Sequence, residues 1–200
     1  MPSSLKKKRR VYRLGRRAEA ADETRRRIVE ATSDLHAERG IADTSMKDIA
    51  ARAGVSVGTV YHHFPTYPDA IAACGAFTAE QVPAPTGAVF EGAATRPERV
   101  ARLAEALFDY YERIPALASV RRDQFIAESL EQFVAEEADN RLTLAARAIG
   151  AQKRGRQTAL VAALVDLDVY RALRRQGFDT ATAAERIAAL VNGWLDHTEH

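Results

Sequence analysis

Apolar residues recur along most of the chain with the three-to-four-residue spacing of an amphipathic helix. Over 22–39, for example, Ile28, Ala31 and Leu35 share one helical face, and Gly40 follows as a helix-ending residue. No run alternates apolar and polar residues between hairpin turns, as a half-buried strand would. The pattern therefore predicts an all-α protein of about nine helices.

The predicted helices fall into two groups, on either side of a segment rich in proline and glycine. Four helices precede it, at 22–39, 46–53, 57–63 and 68–82, and five follow, at 97–114, 116–128, 129–151, 157–176 and 180–197. The segment contains Pro83, Pro85, Gly87 and Gly92, which interrupt regular structure. We expect a flexible basic arm over 1–21, a first domain over 22–82 and a second domain over 83–200.

Positive charge is concentrated at the N-terminal end. The formal net charge of the 200 residues is +2, but residues 1–64 hold 14 Lys and Arg against 8 Asp and Glu, a net of +6, which leaves −4 for the remainder. Such asymmetry indicates a polyanionic partner. A solvated, disordered tail would explain the same run, and a membrane surface would explain it less well. The candidate contacts to the backbone of such a polyanion are Lys6, Lys7, Lys8, Arg9, Arg10 and Arg13.

Several classes of function lack the residues that they require. Cys74 is the one cysteine, which excludes a disulfide framework and a cysteine-built metal site. The chain has no apolar run of membrane-spanning length, no glycine-rich phosphate loop and no glycine-elbow serine. His62 and His63 are adjacent, so on a helix they diverge by about 100° and chelate one ion poorly. We expect a cytoplasmic, nucleoid-associated protein that is not an enzyme and holds no cofactor or metal.

Local signals between 44 and 57 predict a helix, a tight turn and a second helix. Ser45 followed by Asp48 has the spacing of a capping box, which starts the first helix. Gly54 can adopt the left-handed backbone that such a turn needs, and Ser56 can cap the helix that follows.

The second of these helices presents a face suited to DNA. Val60 is placed to close a small core, and the rest of the helix is left exposed. Small and hydrogen-bonding residues near a helix N-terminus suit a helix in the major groove, where backbone and hydroxyl groups come close to bases and phosphates. A helical hairpin that only packs is the structural alternative. The residues left for the exposed face are Val57, Gly58, Thr59, Tyr61, His62 and His63.

The segment 22–81 resembles the N-terminal domain of the TetR family of bacterial transcriptional repressors. The similarity is carried by 24–31 (TRRRIVEA), Gly40, 44–50 (TSMKDIA) and 53–64 (AGVSVGTVYHHF), and less specifically by 165–177 near the C-terminus. It implies a homodimer with two helix-turn-helix heads and a helical ligand-binding body. It also implies that Ser45 and Lys47 face phosphate, and that Val57, Gly58, Thr59, Tyr61 and His63 face the groove, with Ser56 and His62 beside them.

One position departs from the family pattern. A lysine usually stands at the start of the fourth helix, where it contacts a backbone phosphate, and this chain has Tyr67 there. A Tyr hydroxyl can bond to phosphate without charge, so we expect a slightly shallower salt dependence of DNA binding. The basic arm could compensate along the minor groove or the backbone.

The second domain offers candidates for dimerisation and for ligand binding. Helical spacing together with the resemblance predicts a four-helix dimer bundle, with an interface built from Leu160, Leu164, Leu167, Ile187, Leu190, Val191 and Trp194. A pocket is expected among the helices between 68 and 151, although each aromatic there is more often a core residue than a ligand wall. Its chemistry leaves open a cationic drug, an acyl thioester and a neutral aromatic. The candidate pocket residues are Phe77, Phe108, Tyr110, Tyr111, Arg121, Gln124, Phe125 and Glu128.

Together these observations predict a dimeric, sequence-specific transcriptional regulator. We expect it to repress from a palindromic, double-stranded operator and to be released by a small-molecule effector of unknown identity. The alternative is a DNA-bound structural or protein-recruiting factor without an effector.

Overall fold

The computed structural model describes residues 3–151 and 155–198, with side chains over 18–151 and 155–197. The chain divides into two compact units, Met1–Phe77, here called the head, and Thr78–His200, here called the body. Within the described residues the protein is all-α, as predicted. Its ten α-helices are α1 Ser3–Arg39, α2 Met46–Ala53, α3 Val57–His63, α4 Tyr67–Gln81, α5 Arg96–Arg113, α6 Leu117–Arg122, α7 Glu128–Ile149, α8 Arg156–Leu164, α9 Leu167–Arg175 and α10 Thr180–Thr198.

The first helix is longer than predicted. The sequence pattern placed a flexible arm up to 21 and a helix from 22, whereas α1 runs without interruption from Ser3 to Arg39. The physical reason is composition: the segment is dominated by Lys, Arg, Ala and Glu, which are favourable helix formers, and it contains no proline. The side chains of the arm, Lys6, Lys7, Lys8, Arg9, Arg10 and Arg13 among them, lie outside the described residues.

The division between head and body lies inside α4, five residues before the boundary predicted at 82. Ala70 is buried in the head core and Phe77 packs against that core, whereas Val82 packs against the core of the body. The proline- and glycine-rich segment therefore belongs to the body. Part of it, Gly87–Phe90, forms a short 3-10 helix.

The body is built around α5. This helix packs against α10 and α7, and α7 in turn packs against α8. A capping box of Thr95 and Glu98 fixes its first turn, and seven of its residues are buried. Phe108 is the largest side chain in the body that is fully removed from solvent.

Two predicted helices of the body are each interrupted, one at Asp166 and the other at Asp123. The predicted helix 157–176 is two helices, because Asp166 caps α9 by accepting a hydrogen bond from the Asp168 N–H at 2.9 Å. The predicted helix 116–128 is α6 followed by a 3-10 turn, Gln124–Ile126, with buried Asp123 between them. The first of these breaks accounts for the tenth helix.

Four charged side chains form a closed ring inside the body. Arg121 of α6 contacts the Asp166 carboxylate at 2.9 Å and the Glu137 carboxylate of α7 at 2.7 Å. Arg141 completes the ring, at 2.6 Å from Glu137 and 3.0 Å from Asp166. The ring joins α6, α7 and the start of α9, and its members are largely removed from solvent.

Replacing Glu137 by Ala should destabilise the body strongly. The change leaves Arg121 and Arg141 with Asp166 as the one remaining carboxylate of the ring, and breaking a buried ion pair by removing one partner costs about 3–5 kcal/mol. Urea unfolding followed by the fluorescence of Trp194, which lies in α10 of the same unit, measures the loss. Glu136→Ala, at an exposed neighbour on α7, is the matched control and should stay within about 0.5 kcal/mol. Equal midpoints for the two variants would contradict the structural role of the ring.

Candidate nucleic-acid interface

Backbone and side-chain caps fix the turn between α2 and α3. The capping box of Ser45 and Asp48 starts α2 as predicted, and Gly54 ends it with a left-handed φ of 67°. Ser56 begins α3 by accepting the Thr59 N–H at 3.0 Å. The direction in which α3 leaves the turn is therefore set by local hydrogen bonds.

Packing against α1 holds the helix pair in place. Val60 of α3, Ile49 of α2 and Ile28 of α1 are each fully buried in one core cluster. Helices of eight and seven residues are marginal on their own in water, so this shared core supplies the stability that they lack.

Arg27 is a residue that the sequence reasoning missed. Its guanidinium donates to the backbone carbonyls of Ala53 and Gly54, where α2 ends and the turn begins. These are carbonyls that the helix itself cannot satisfy. The signal was present, because Arg27 lies one position before the buried Ile28 on α1, but its partners are 26 and 27 residues away.

The outer face of α3 is open to solvent. Tyr61 is 50% exposed and Val57 is 37% exposed, and Gly58 and His62 are exposed as well. Thr59 and His63 are half-buried, and Ser56 at the start of the helix is exposed. The structure therefore brings together the residues that the sequence placed on one face.

The surroundings of His63 shift its pKa. Partial burial lowers its pKa below the ordinary value of 6.5, and the positive potentials of His62 and Arg25 lower it further. Arg25 itself lies over the Phe64 ring, with its guanidinium carbon 4.5 Å from the centroid. At neutral pH His63 is therefore a neutral hydrogen-bonding group, and the fixed charge beside it belongs to Arg25.

Ser45 does not match its expected role as a phosphate donor. Its hydroxyl donates to Asp48 Oδ2 at 2.5 Å and its backbone N–H donates to the same oxygen at 3.1 Å. Both donors are thus committed, and these bonds lower the pKa of the Asp48 carboxyl. Lys47 is exposed and forms no ion pair with any residue that the structure describes, so it carries the available charge at this end of α2.

Tyr67 also has a role other than the predicted one. Its hydroxyl donates to the Ile41 carbonyl at 2.7 Å, and the buried His36 contacts it through Nε2 at 2.9 Å. Because the hydroxyl proton goes to Ile41, the ring nitrogen is the donor in the second bond. Tyr67 has no proton left for a phosphate, and it ties the start of α4 to the end of α1.

The predicted pocket residues lie in different surroundings within the described part of the chain. Phe108, Tyr110 and Tyr111 are core residues of the body, Phe125 is 80% exposed, and Phe77 belongs to the head. The polar candidates are engaged elsewhere: Arg121 in the ion ring, Gln124 with the Arg121 carbonyl at 3.0 Å, and Glu128 with Gln132 at 3.2 Å. Helical spacing does not reveal which face turns inward, so core and cavity residues look alike in sequence. Of the set, Tyr111 lines a cavity of about 400 Å³ in the body.

The predicted dimer residues separate into two faces. Leu167, Ile187 and Val191 are buried within the core of their own body. In contrast, Leu160 and Leu190 are 42% and 63% exposed. Leu164 and Trp194 are partly buried against the core. The exposed members lie on α8 and α10.

The described residues were also searched for a membrane-spanning helix and for a metal site. No helix among them is both long enough and apolar enough to cross a bilayer. They also contain no group of three or more His, Cys, Asp and Glu side chains arranged to hold a metal ion.

Comparison with known proteins connects this interface to a family. Residues 28–66 match the sequence model of the bacterial regulatory proteins of the tetR family. An HTH-type transcriptional repressor of Mycobacterium tuberculosis is 56% identical over 39 residues, which are 20% of this chain and 21% of that one. The chain thus matches about a fifth of the length of this curated relative.

Solved structures extend the likeness to both units as a fold. A transcriptional regulator from Rhodococcus sp. Rha1 superposes with a TM-score of 0.68 at 22% identity, covering 86% of this chain and 96% of that one. NalD of Pseudomonas aeruginosa, the secondary repressor of the MexAB-OprM multidrug efflux pump, gives 0.61 at 20% identity, covering 86% and 95%. Residues 28–66 of the head are therefore similar to the tetR family of bacterial regulatory proteins, and the solved structures show that the chain shares their fold.

Replacing Tyr67 by Phe should lower stability without changing the α3 surface. The change removes the hydroxyl that donates to the Ile41 carbonyl and contacts His36 Nε2, and losing such hydrogen bonds at partly buried polar groups costs about 1–3 kcal/mol. Thermal unfolding followed by circular dichroism measures the loss. Tyr61→Phe removes the same hydroxyl from an exposed ring and should leave the melting temperature unchanged. If Tyr67→Phe has the same melting temperature as the wild type, the Tyr67 hydroxyl does not stabilise the head.

Proposed function

We propose that this protein is a dimeric, sequence-specific DNA-binding transcriptional regulator that represses from a palindromic operator. The observation that carries the proposal is the outer face of α3, which is exposed while its inner face is buried and its ends are capped. The likeness of 28–66 to a family of regulatory proteins supports the same function.

The composition of the α3 face suits the major groove. Gly58 lets the backbone approach the bases, and a Cβ there would meet only the Ser56 hydroxyl oxygen, at 3.8 Å. Tyr61 and Thr59 supply hydroxyl groups, and the Thr59 methyl group can contact a thymine methyl. A helix used only for packing would not leave a tyrosine ring half exposed beside a glycine.

Positive charge around α3 supplies affinity that is independent of sequence. Lys47 lies at the start of α2, and α1 carries the basic arm of the chain at its N-terminal end. Each lysine or arginine that neutralises a phosphate releases a counterion, which makes binding depend on salt. We assign Lys47 and the arm to the DNA backbone, and the α3 face to the bases.

The exposed apolar residues of the body support dimerisation. Leu160 on α8 and Leu190 on α10 are large side chains left in solvent by the single chain, and Leu164 and Trp194 extend that surface. Burial of such a patch against a second copy is the ordinary means by which a two-fold dimer forms. Two heads would then contact two half-sites about one turn of DNA apart, or a multiple of it.

Release by a small molecule follows as a shift between two states. NalD, with the same fold, is named for repression of a multidrug efflux pump, which favours an effector-controlled repressor. To change operator occupancy from 99% bound to 99% free, the effector must prefer the released state by about 5.5 kcal/mol. A cytoplasmic protein associated with the nucleoid fits this function.

Two substitutions should separate base reading from phosphate binding. Tyr61→Ala should weaken binding to the operator about tenfold, because it removes a base contact, while leaving affinity for scrambled DNA unchanged. Lys47→Ala should weaken binding to both DNAs equally and reduce the salt slope by about 1, because it removes a phosphate contact. Fluorescence anisotropy over a salt series measures both, with DNA from upstream of the protein's own gene as the operator fragment.

The wild type sets the reference for these variants. It should prefer the upstream fragment over its scrambled control by about a thousandfold or more. Weak and strongly salt-dependent binding to both fragments would mean that charge alone acts and would contradict sequence-specific regulation from this site.

A further inference from the structure

A cavity in the body lies between the C-terminal end of α5, the start of α6 and α9. Its volume is about 400 Å³, within the usual range of small-molecule sites. Its lining includes the apolar or aromatic side chains of Tyr111, Leu167 and Tyr170, and it also includes Arg171, Arg174 and Arg175. The cavity therefore combines a hydrophobic wall with a group of cations.

The apolar wall is rigid and uncharged. Tyr170 packs on Phe108 with ring centroids 5.0 Å apart and on Tyr111 at 6.1 Å. The Tyr111 hydroxyl donates to Glu137 at 3.2 Å, so this residue offers the cavity its ring. Burial, followed by the hydrogen bond to Glu112, raises the pKa of Tyr170 and keeps its hydroxyl protonated.

The one carboxylate of the cavity is already paired. Glu112 accepts hydrogen bonds from the Tyr170 hydroxyl and from Arg174, the latter at 3.3 Å. Arg174 also donates to the Phe178 carbonyl at 2.9 Å. Glu112 is thus balanced by Arg174, and neither needs a ligand.

Arg171 and Arg175 remain as excess positive charge. They lie four positions apart on α9, which places like charges on one helical face at a small cost. Neither forms an ion pair with a carboxylate in the described part of the chain. A position in the last turn, facing the negative end of the helix dipole, explains Arg175 but not Arg171.

We propose that this cavity binds a small organic acid, with its apolar body against Tyr111, Leu167 and Tyr170 and its carboxylate at Arg171 and Arg175. Arginine forks recognise carboxylates with paired, charge-assisted hydrogen bonds. The net positive lining disfavours a cationic ligand. This inference extends the proposed function, because it names the chemical class of the effector.

A matched pair of ligands tests the charge requirement. 1-Naphthoate has an aromatic body and a carboxylate, and 1-naphthamide has the same shape without the charge. Isothermal titration calorimetry of the full chain without DNA should show that naphthoate binds at least about tenfold more tightly. Equal affinities, or no binding of naphthoate, would overturn the proposal.

A matched set of variants tests the position. The double variant R171Q/R175Q should lose about tenfold or more of its affinity for naphthoate and none for naphthamide. R113Q, at an exposed arginine of α5 that does not line the cavity and pairs with Asp109 at 3.6 Å, should stay within twofold of the wild type by the same measure. An equal loss in R113Q would mean that general charge, and not this site, attracts the anion.

The calorimetric result is independent of the DNA-binding proposal. If the protein binds naphthoate at this cavity but does not prefer its upstream DNA, the proposed ligand site stands and the proposed regulatory function is rejected. Specific DNA binding without naphthoate binding would reject the site and leave the regulator in place.

Discussion

The head depends on two helices that are too short to be stable alone. α2 has eight residues and α3 has seven, and isolated helices of that length are marginal in water. The inward-facing side of α3 therefore packs into the core shared with α1, chiefly through Val60. Caps at Ser45, Gly54 and Ser56 and the Arg27 guanidinium satisfy the backbone groups that short helices leave open. The outer face of α3 is left largely exposed, which makes it available for recognition.

In the body, buried ion pairs hold helices together. Arg121 and Arg141 are held by Glu137 and Asp166 in a ring that joins three helices. Within that arrangement Asp166 both closes the ring and starts α9, so the direction of α9 follows from a partly buried carboxylate. Arg171, one turn further along α9, has no such partner among the described residues. Arg121 and Arg141 are therefore structural, whereas Arg171 is exposed and available for the ligand proposed above.

Sequence alone predicted the parts of the structure that local signals determine. The capping box, the left-handed Gly54 and the start of α3 at Ser56 depend on residues a few positions apart, and all were anticipated. Tyr67 could not be assigned from sequence because its partner Ile41 lies 26 residues away, and the Arg27 contacts are as distant. The pocket and dimer residues share one helical period with the core, so the sequence could not say that Phe108 and Val191 point inward while Leu190 points outward.

If two copies of the α3 face read DNA together, a hydroxyl-radical footprint on the DNA upstream of the gene will show it. We expect two protected patches on one side of the duplex, related by two-fold symmetry and centred about one helical turn, or a multiple, apart. A single patch, or even protection along the whole fragment, would contradict this expectation.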